Sequence, residues 1–252
     1  MKITFLGTCH GYPEKGRDYT SIAIEVGESV YFLDAGAAVH SKMINYGIDP
    51  ARLRAVFITH IHADHMLGLV DLVDAFTWAK IYKDVTVDYY LPEERGIKEL
   101  KELVSLMSAP VDSEKNRFHV YGSDFIYKDE NLTLSVIPTH HLLDWGGYPA
   151  YAFIVEAEGK RVLFSGDLSQ NLKYNDFPEV AKTSETDLFI CEMAHFDFEV
   201  LRPHFKESKT KRLYMTHVKF PDERIPLLER ENESGEFSFK IVGAADGDAI
   251  EI

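Results

Sequence analysis

Short apolar runs rich in β-branched and aromatic residues alternate along the chain with stretches of helical periodicity. Lys2 to Thr8, Ser21 to Val26 and Val30 to Asp34 read as strands of an opening meander. Ala37 to Tyr46 reads as a helix ended near Gly47, and Leu53 to Ile58 is an apolar run of strand length. From Met66 to Tyr82 the apolar residues Leu69, Leu72, Val73, Phe76 and Ala79 recur at helical spacing. Val85 to Leu91 is a strand. Pro92, then Glu93 and Glu94, opens a helix that carries Leu100, Leu103, Val104 and Met107 on one face.

Phe118 to Tyr121, Phe125 to Tyr127 and Leu132 to Ile137 read as antiparallel strands. Tyr151 to Glu156 and Arg161 to Phe164 form a hairpin through Glu158-Gly159. Leu188 to Cys191 and Leu213 to Met215 are short buried strands with helices between; Ile225 to Glu231 is helical, and Phe237 to Val242 and Ala249 to Ile252 are final strands. The two halves resemble each other, each with strands and then helices. No linker, repeat or low-complexity tract separates them, so residues 1–252 read as one domain.

Several of these runs end in residues that bind metals. Leu53 to Ile58 leads into Thr59-His60-Ile61-His62-Ala63-Asp64-His65. Neutral imidazole is a preferred zinc ligand and carboxylate its usual companion. His60 and His62, two apart, can lie on one side of an extended segment. Asp64 and His65 come where the chain turns into a helix, so one short loop can serve two ions. Further donors follow other strands: His140 and His141 after Pro138-Thr139, Asp167 after Ser165-Gly166, and His217 after Thr216.

On these residues the chain resembles the metallo-β-lactamase fold superfamily of metal-dependent hydrolases. The resemblance covers nearly the whole chain: Asp34 in Leu33-Asp34-Ala35-Gly36, H-x-H-x-D-H at His60 to His65, then His141, Asp167 and His217 in the superfamily's order. It is nearest to the ribonuclease Z-like branch. Phe5-Leu6-Gly7-Thr8, Pro13, Arg17 and Thr20-Ser21-Ile22 look like the start of those enzymes, and Ala245-Asp246-Gly247 like their ending. Pro138, His141, Gly147 and Tyr148 fit the branch's P-x-x-H-x5-G-Y register, which selects His141 over His140. Phe189 to His195 is similar to the H-E-A-T region, whose histidine assists the leaving group; here the His follows Glu192.

The resemblance implies an α/β fold, an αββα four-layer sandwich of two mixed sheets flanked by helices. It implies a dinuclear site in which His60, His62 and His141 hold one metal, Asp64, His65 and His217 the other, and Asp167 bridges. A hydroxide bridging the metals would be the nucleophile. Asp64 would also orient it, His195 would serve as general acid, and Asp34 and Thr216 would fix ligand tautomers. Zinc suits these ligands, as do manganese and iron. Redox di-iron relatives carry Glu at the second His, so His62 points to hydrolysis. Two departures weigh against transfer-RNA processing. Between His65 and His141 there is no Gly-Pro and no basic arm, and Asp34-Ala35-Gly36-Ala37-Ala38-Val39 replaces the branch's Asp-Cys-Gly-Glu-Gly-Thr. The expected substrate is a small or cyclic phosphodiester or a nucleic-acid end. A thioester, lactone or other carboxylic ester is the rival substrate class, and a non-enzymatic metal-binding protein the rival role. The branch also suggests a homodimer.

Composition narrows the setting. A net charge of −14 opposes binding to long nucleic acids, although two divalent ions offset about four units locally. The one basic run, Lys206 to Arg212, reads as a solvated edge. No segment approaches the ~20 apolar residues of a membrane span, and Met1-Lys2-Ile3-Thr4 runs straight into a strand, which together suggest a cytoplasmic enzyme. Cys9 and Cys191 form no disulfide framework, and Cys9 reads as a spectator. His40 reads as a surface residue, His119 and His204 as structural, and His10 as either surface or pocket. Trp145 and Tyr148 suit a substrate wall or core packing equally.

Overall fold

The computed structural model describes residues 1–108 and 110–252. The chain divides into two compact units: an N-terminal unit of residues 2–122 with 246–251, and a C-terminal unit of residues 123–245 with Met1 and Ile252. The N-terminal unit carries strands β1 (Lys2–Gly7), β2 (Ser21–Val26), β3 (Ser29–Ala35), β4 (Leu53–Phe57), β5 (Val87–Leu91), β6 (Asn116–Val120) and the late strand β14 (Ala249–Glu251). The C-terminal unit carries β7 (Ile126–Lys128), β8 (Thr133–Thr139), β9 (Ala150–Ala157), β10 (Lys160–Phe164), β11 (Leu188–Met193), β12 (Leu213–Val218) and β13 (Ile241–Gly243).

Each unit is built on a seven-stranded mixed sheet, and the two sheets repeat one plan. In the order β14-β1-β2-β3-β4-β5-β6, the pairs up to β3 are antiparallel and those from β3 to β6 parallel. In the order β7-β8-β9-β10-β11-β12-β13, the pairs up to β10 are antiparallel and the rest parallel. Parallel strands share one carboxyl edge, and loops there are the usual place for ligands in α/β sheets. The donor-rich loops follow such ends, after β3, β4, β10, β11 and β12. The β9–β10 hairpin closes through Glu158 and Gly159, both at positive φ as a tight two-residue turn of this hand requires.

In the N-terminal unit, α1 (Val39–Asn45), α2 (Ala63–Met66), α3 (Leu69–Trp78) and α4 (Glu94–Met107) accompany the sheet. Val56, Phe32, Leu72, Phe76, Tyr89 and Val104 make one buried cluster. The periodic stretch 66–82 is not one helix. Only its first residue, Met66, belongs to α2, which starts earlier, and α3 begins after Gly68. A Cβ there would lie 2.5 Å from Gly36 O and 2.8 Å from Ala35 O, and Gly68 N donates to Ala35 O at 2.8 Å. The backbone is drawn onto the β3–α1 loop, which only glycine permits. On α4, Leu100 and Val104 are buried but Leu103 and Met107 are exposed, so the buried line is narrower than the sequence pattern indicates.

The C-terminal unit has α5 (Val180–Thr183), α6 (Phe198–Glu207) and α7 (Pro221–Glu233), packed through Phe189, Phe198, Leu201, Phe205 and Met215. Of the expected strand 237–242 only the end pairs, as β13. Phe237 and Phe239 instead stack on one another, and Phe237 meets Phe198 edge-on. Among the described residues no helix is long and apolar enough to cross a membrane.

Candidate metal centre

The N-terminal unit gathers four donors. After β4 the chain bends at Thr59 and His60, and His62, with φ −66° and ψ 149°, caps α2. Asp64 and His65 ride the first turn of α2. The His60 ring lies 4.7 Å from His62 and 4.1 Å from His65 between centroids, and His65 Nε2 is 3.4 Å from Asp64 Oδ2. His60, His65 and Asp64 are buried.

Asp34, the penultimate residue of β3, has φ 59°, a conformation that Asp tolerates better than most residues. Its carboxylate accepts from His65 Nδ1 at 2.8 Å and from Thr59 N at 2.7 Å, while Thr59 Oγ1 lies 3.0 Å from both oxygens. Complete burial pushes the Asp34 carboxyl up, against the opposing pull of His65 and Thr59. Thr59 Oγ1 is also 3.0 Å from His60 Nδ1. With its hydrogen on Asp34, Thr59 Oγ1 can accept from His60 Nδ1–H. His60 and His65 then carry their protons on Nδ1, and the Nε2 lone pairs are the ones suited to a metal.

The C-terminal unit gathers a second set around Asp167, just after β10. Its Oδ2 lies 3.3 Å from His217 Nε2, 3.6 Å from His141 Nε2 and 3.9 Å from His195 Nδ1. Donor atoms of Asp167, His195 and His217 all fall within 4.8 Å of one another. His141 Nδ1 donates to Leu168 O at 3.1 Å, which again leaves Nε2 as the ligating nitrogen. Desolvation holds His141 below the ordinary imidazole range, so the ring is neutral and ready to ligate near pH 7. His217, the penultimate residue of β12, has φ 51°, a second positive-φ residue near a strand terminus. Backbone strain of this kind concentrates at functional sites. His140, next to His141, points elsewhere: its backbone N donates to Asp176 Oδ2 at 2.8 Å, and its ring is exposed beside Tyr174.

Glu192 is the residue that motif reading left without a role. It is 1% exposed, and its carboxylate accepts from Leu168 N, Ala194 N, His195 N and His195 Nδ1 at 2.8–3.2 Å. A strand-interior Glu at that burial is unusual and was the available signal. It orients His195 and leaves Nε2 on the other side of the ring. Thr216 differs from expectation, since its buried hydroxyl has no hydrogen-bond partner among the described residues. Thr59 occupies the supporting role instead.

His40 is not a plain surface residue: it bridges Asp71 at 3.2 Å and Tyr82 OH at 3.2 Å. His119 stacks on Tyr90 and bonds Asp88, and His204 stacks on Phe177. Trp145 and Tyr148 are 73% and 36% exposed, which removes core packing as their role.

Two strand-edge clusters of His and Asp on this topology invite comparison with known proteins. Residues 1–219 match the model of the family described as anti-Pycsar protein Apyc1. The chain belongs to the Apyc1 family. It is also 31% identical over 157 residues to a ribonuclease Z of Methanocaldococcus jannaschii, covering 61% of this chain and 47% of the relative. A ribonuclease Z of Anoxybacillus flavithermus is 30% identical over 166 residues, 63% of this chain and 49% of the relative. The chain thus spans about half the length of the curated relatives it matches. Among solved structures, the metallo-β-lactamase fold protein YhfI from Bacillus subtilis aligns with a TM-score of 0.76 at 21% identity, covering 99% of both chains. Human tRNase Z, short form, aligns with a TM-score of 0.71 at 18% identity, covering 100% of this chain and 99% of that one. The fold is the metallo-β-lactamase fold, and part of the sequence is similar to ribonucleases Z.

Proposed function

We propose that residues 1–252 act as one metal-dependent hydrolase domain that cleaves phosphodiesters, with a small or cyclic phosphodiester or a nucleic-acid end as substrate. The observation that carries this reading is the Asp167 carboxylate, with three imidazoles converging on one of its oxygens. The donor set fits divalent ions: His65 and His141 each have Nδ1 bound to an acceptor, which presents Nε2 for ligation. In this reading His60, His62 and His141 hold one ion, Asp64, His65 and His217 the other, and Asp167 is shared. Zinc is the first choice for such nitrogen and carboxylate donors, with manganese and iron also accommodated. When bound, the ions would supply Lewis-acid polarisation of the phosphoryl group and activation of water.

The chain's own residues supply the rest. Asp64 accepts a hydrogen bond from the nucleophile and orients it. His195, held at Nδ1 by Glu192, gives a proton from Nε2 to the leaving oxygen. The Glu192 carboxylate keeps the ring aimed during transfer. The enzyme works in the cytoplasm as a homodimer, as the ribonuclease Z-like resemblance suggests; exposed Leu103, Leu106 and Met107 on α4 offer an apolar face for pairing.

The test is hydrolysis of bis(p-nitrophenyl) phosphate by zinc- or manganese-loaded protein against Asp167→Ala. Turnover that disappears in the variant supports the reading. No turnover in protein holding two ions per chain would sink it and direct attention to thioesters and lactones. Failure to hold two ions would favour a non-enzymatic role.

A further inference from the structure

A second group of metal-binding donors lies outside the set assigned above. The loop from Thr8 to Thr20, between β1 and β2, folds back on itself. Cys9 N donates to Asp18 O at 2.8 Å, Thr20 Oγ1 to Cys9 O at 3.0 Å, and Arg17 N to Glu14 O at 2.9 Å. Two isolated bridges, Cys9 with Tyr19 and Glu14 with Arg17, fix the same closure. It brings one donor atom each from Cys9, His10 and Glu14 within 4.8 Å of one another.

We propose that Cys9, His10 and Glu14 form a third metal site that takes a thiophilic divalent cation, zinc above all, through one sulfur, one nitrogen and one oxygen. The donors are of three kinds and come from six consecutive residues of a loop whose backbone is already pinned, so little chain entropy is lost on binding. Tetrahedral zinc holds such donors about 2.0–2.3 Å away, hence about 3.5 Å from each other, a spacing within reach of donor atoms that already lie within 4.8 Å of one another. Thiolate and carboxylate together cancel a divalent charge, which makes the loaded site neutral where Cys9 is fully buried and His10 is 5% exposed. On binding, the Cys9 S–H loses its proton to water and its bond to Tyr12 O, now 3.1 Å. The His10 Nε2 to Glu14 Oε1 contact at 2.9 Å opens to admit the ion. Glu14 is the more exposed donor, and so the side of entry and of a fourth, water position. Arg17, whose charge would oppose a cation, donates its Nη1 to Thr8 Oγ1 at 2.7 Å.

Burial pushes the Cys9 thiol up to about 11, so without metal it is protonated at neutral pH. A thiolate signature there therefore reports the metal. The seven ligands assigned under the phosphodiesterase reading include no sulfur, so cobalt separates the two sites. Cobalt-loaded protein is expected to show a sulfur-to-cobalt charge-transfer band in the near ultraviolet. The band should persist in Asp167→Asn and Cys191→Ser and vanish in Cys9→Ser. Zinc-loaded Cys9→Ser should hold one ion fewer per chain than the parent, and His10→Ala should weaken that ion at least tenfold in a chelator titration. A folded, cobalt-loaded parent without the band, equal zinc content in parent and Cys9→Ser, or a band lost only in Cys191→Ser would each overturn the proposal. Loss of phosphodiesterase activity would not bear on it.

Discussion

Glu192→Gln is the most informative single change. The carboxylate takes four donors: Oε1 accepts Leu168 N and His195 Nδ1, and Oε2 accepts Ala194 N and His195 N. A glutamine offers one oxygen and one NH2, so two N–H groups lose an acceptor whichever way the amide turns, at most one of them fully buried. With a fully buried donor left unmade costing about 1–3 kcal/mol and a half-buried one less, the folded state loses about 1–4 kcal/mol, or on the order of 2–15 °C in Tm. The charge facing His195 is lost as well, and the ring is less firmly aimed. General acid catalysis is worth about 10²–10⁴-fold where the leaving group needs a proton. We expect kcat on a dinucleotide, whose leaving oxygen is a sugar alkoxide, to fall at least a hundredfold. On bis(p-nitrophenyl) phosphate, whose leaving phenolate needs little protonation, it should fall less than tenfold. The assay compares both substrates below the variant's Tm, with metal content measured in parallel. Equal losses on the two substrates, at unchanged metal content, would refute the assignment of His195 as proton donor and Glu192 as its positioning residue.

Other outcomes follow from the same geometry. Asp34→Ala unties His65 and Thr59 together and should lower affinity for one bound zinc about 10–100-fold in a chelator competition; unchanged affinity would remove Asp34 from the metal's support. Gly68→Ala places a methyl group 2.5 Å from Gly36 O and should cost about 1–3 kcal/mol, lowering Tm by several degrees, whereas an unaltered Tm would mean the β3–α1 loop yields freely. In metal-free protein, desolvation depresses His141 in the folded state, so the unfolded chain takes up that proton first. The stability it contributes is present above about pH 6.5 and is lost as the pH falls towards the lower folded value. Chemical denaturation from pH 8 to pH 5 should show a steeper loss in the parent than in His141→Gln, and parallel slopes would contradict the assignment.

Much of this chain was legible residue by residue. The strands β1, β2, β3 and β4 and the β9–β10 hairpin are short β-branched and aromatic runs whose signal is local, and they form within a residue or two of where periodicity places them. The donors were legible too, because imidazoles and carboxylates crowded after an apolar run have few packing explanations. Local pattern failed wherever a distant backbone intervened. The helical period from 66 to 82 continues unbroken through Gly68, but contact with Gly36 and Ala35 splits it. Leu103 and Met107 keep the period of a buried face, yet only the Leu100–Val104 line is covered.

The finer chemistry was settled by pairings far apart in sequence. His140 and His141 carry the same imidazole on adjacent residues. Asp176 drawing the His140 backbone one way, and Leu168 and Asp167 meeting the His141 ring on the other, distinguish them. Asp34 supports His65 across 31 residues of sequence, whereas Thr216 beside His217 supports nothing among the described residues. By itself the sequence determined most of the strand-and-helix plan and the inventory of donors, because period and composition are properties of neighbours along the chain. Only the tertiary structure decided which nitrogen of each ring faces a hydrogen-bond acceptor, that Glu192 aims His195, and that Cys9, His10 and Glu14 converge, because a hydrogen bond or a coordination site depends on positions in space.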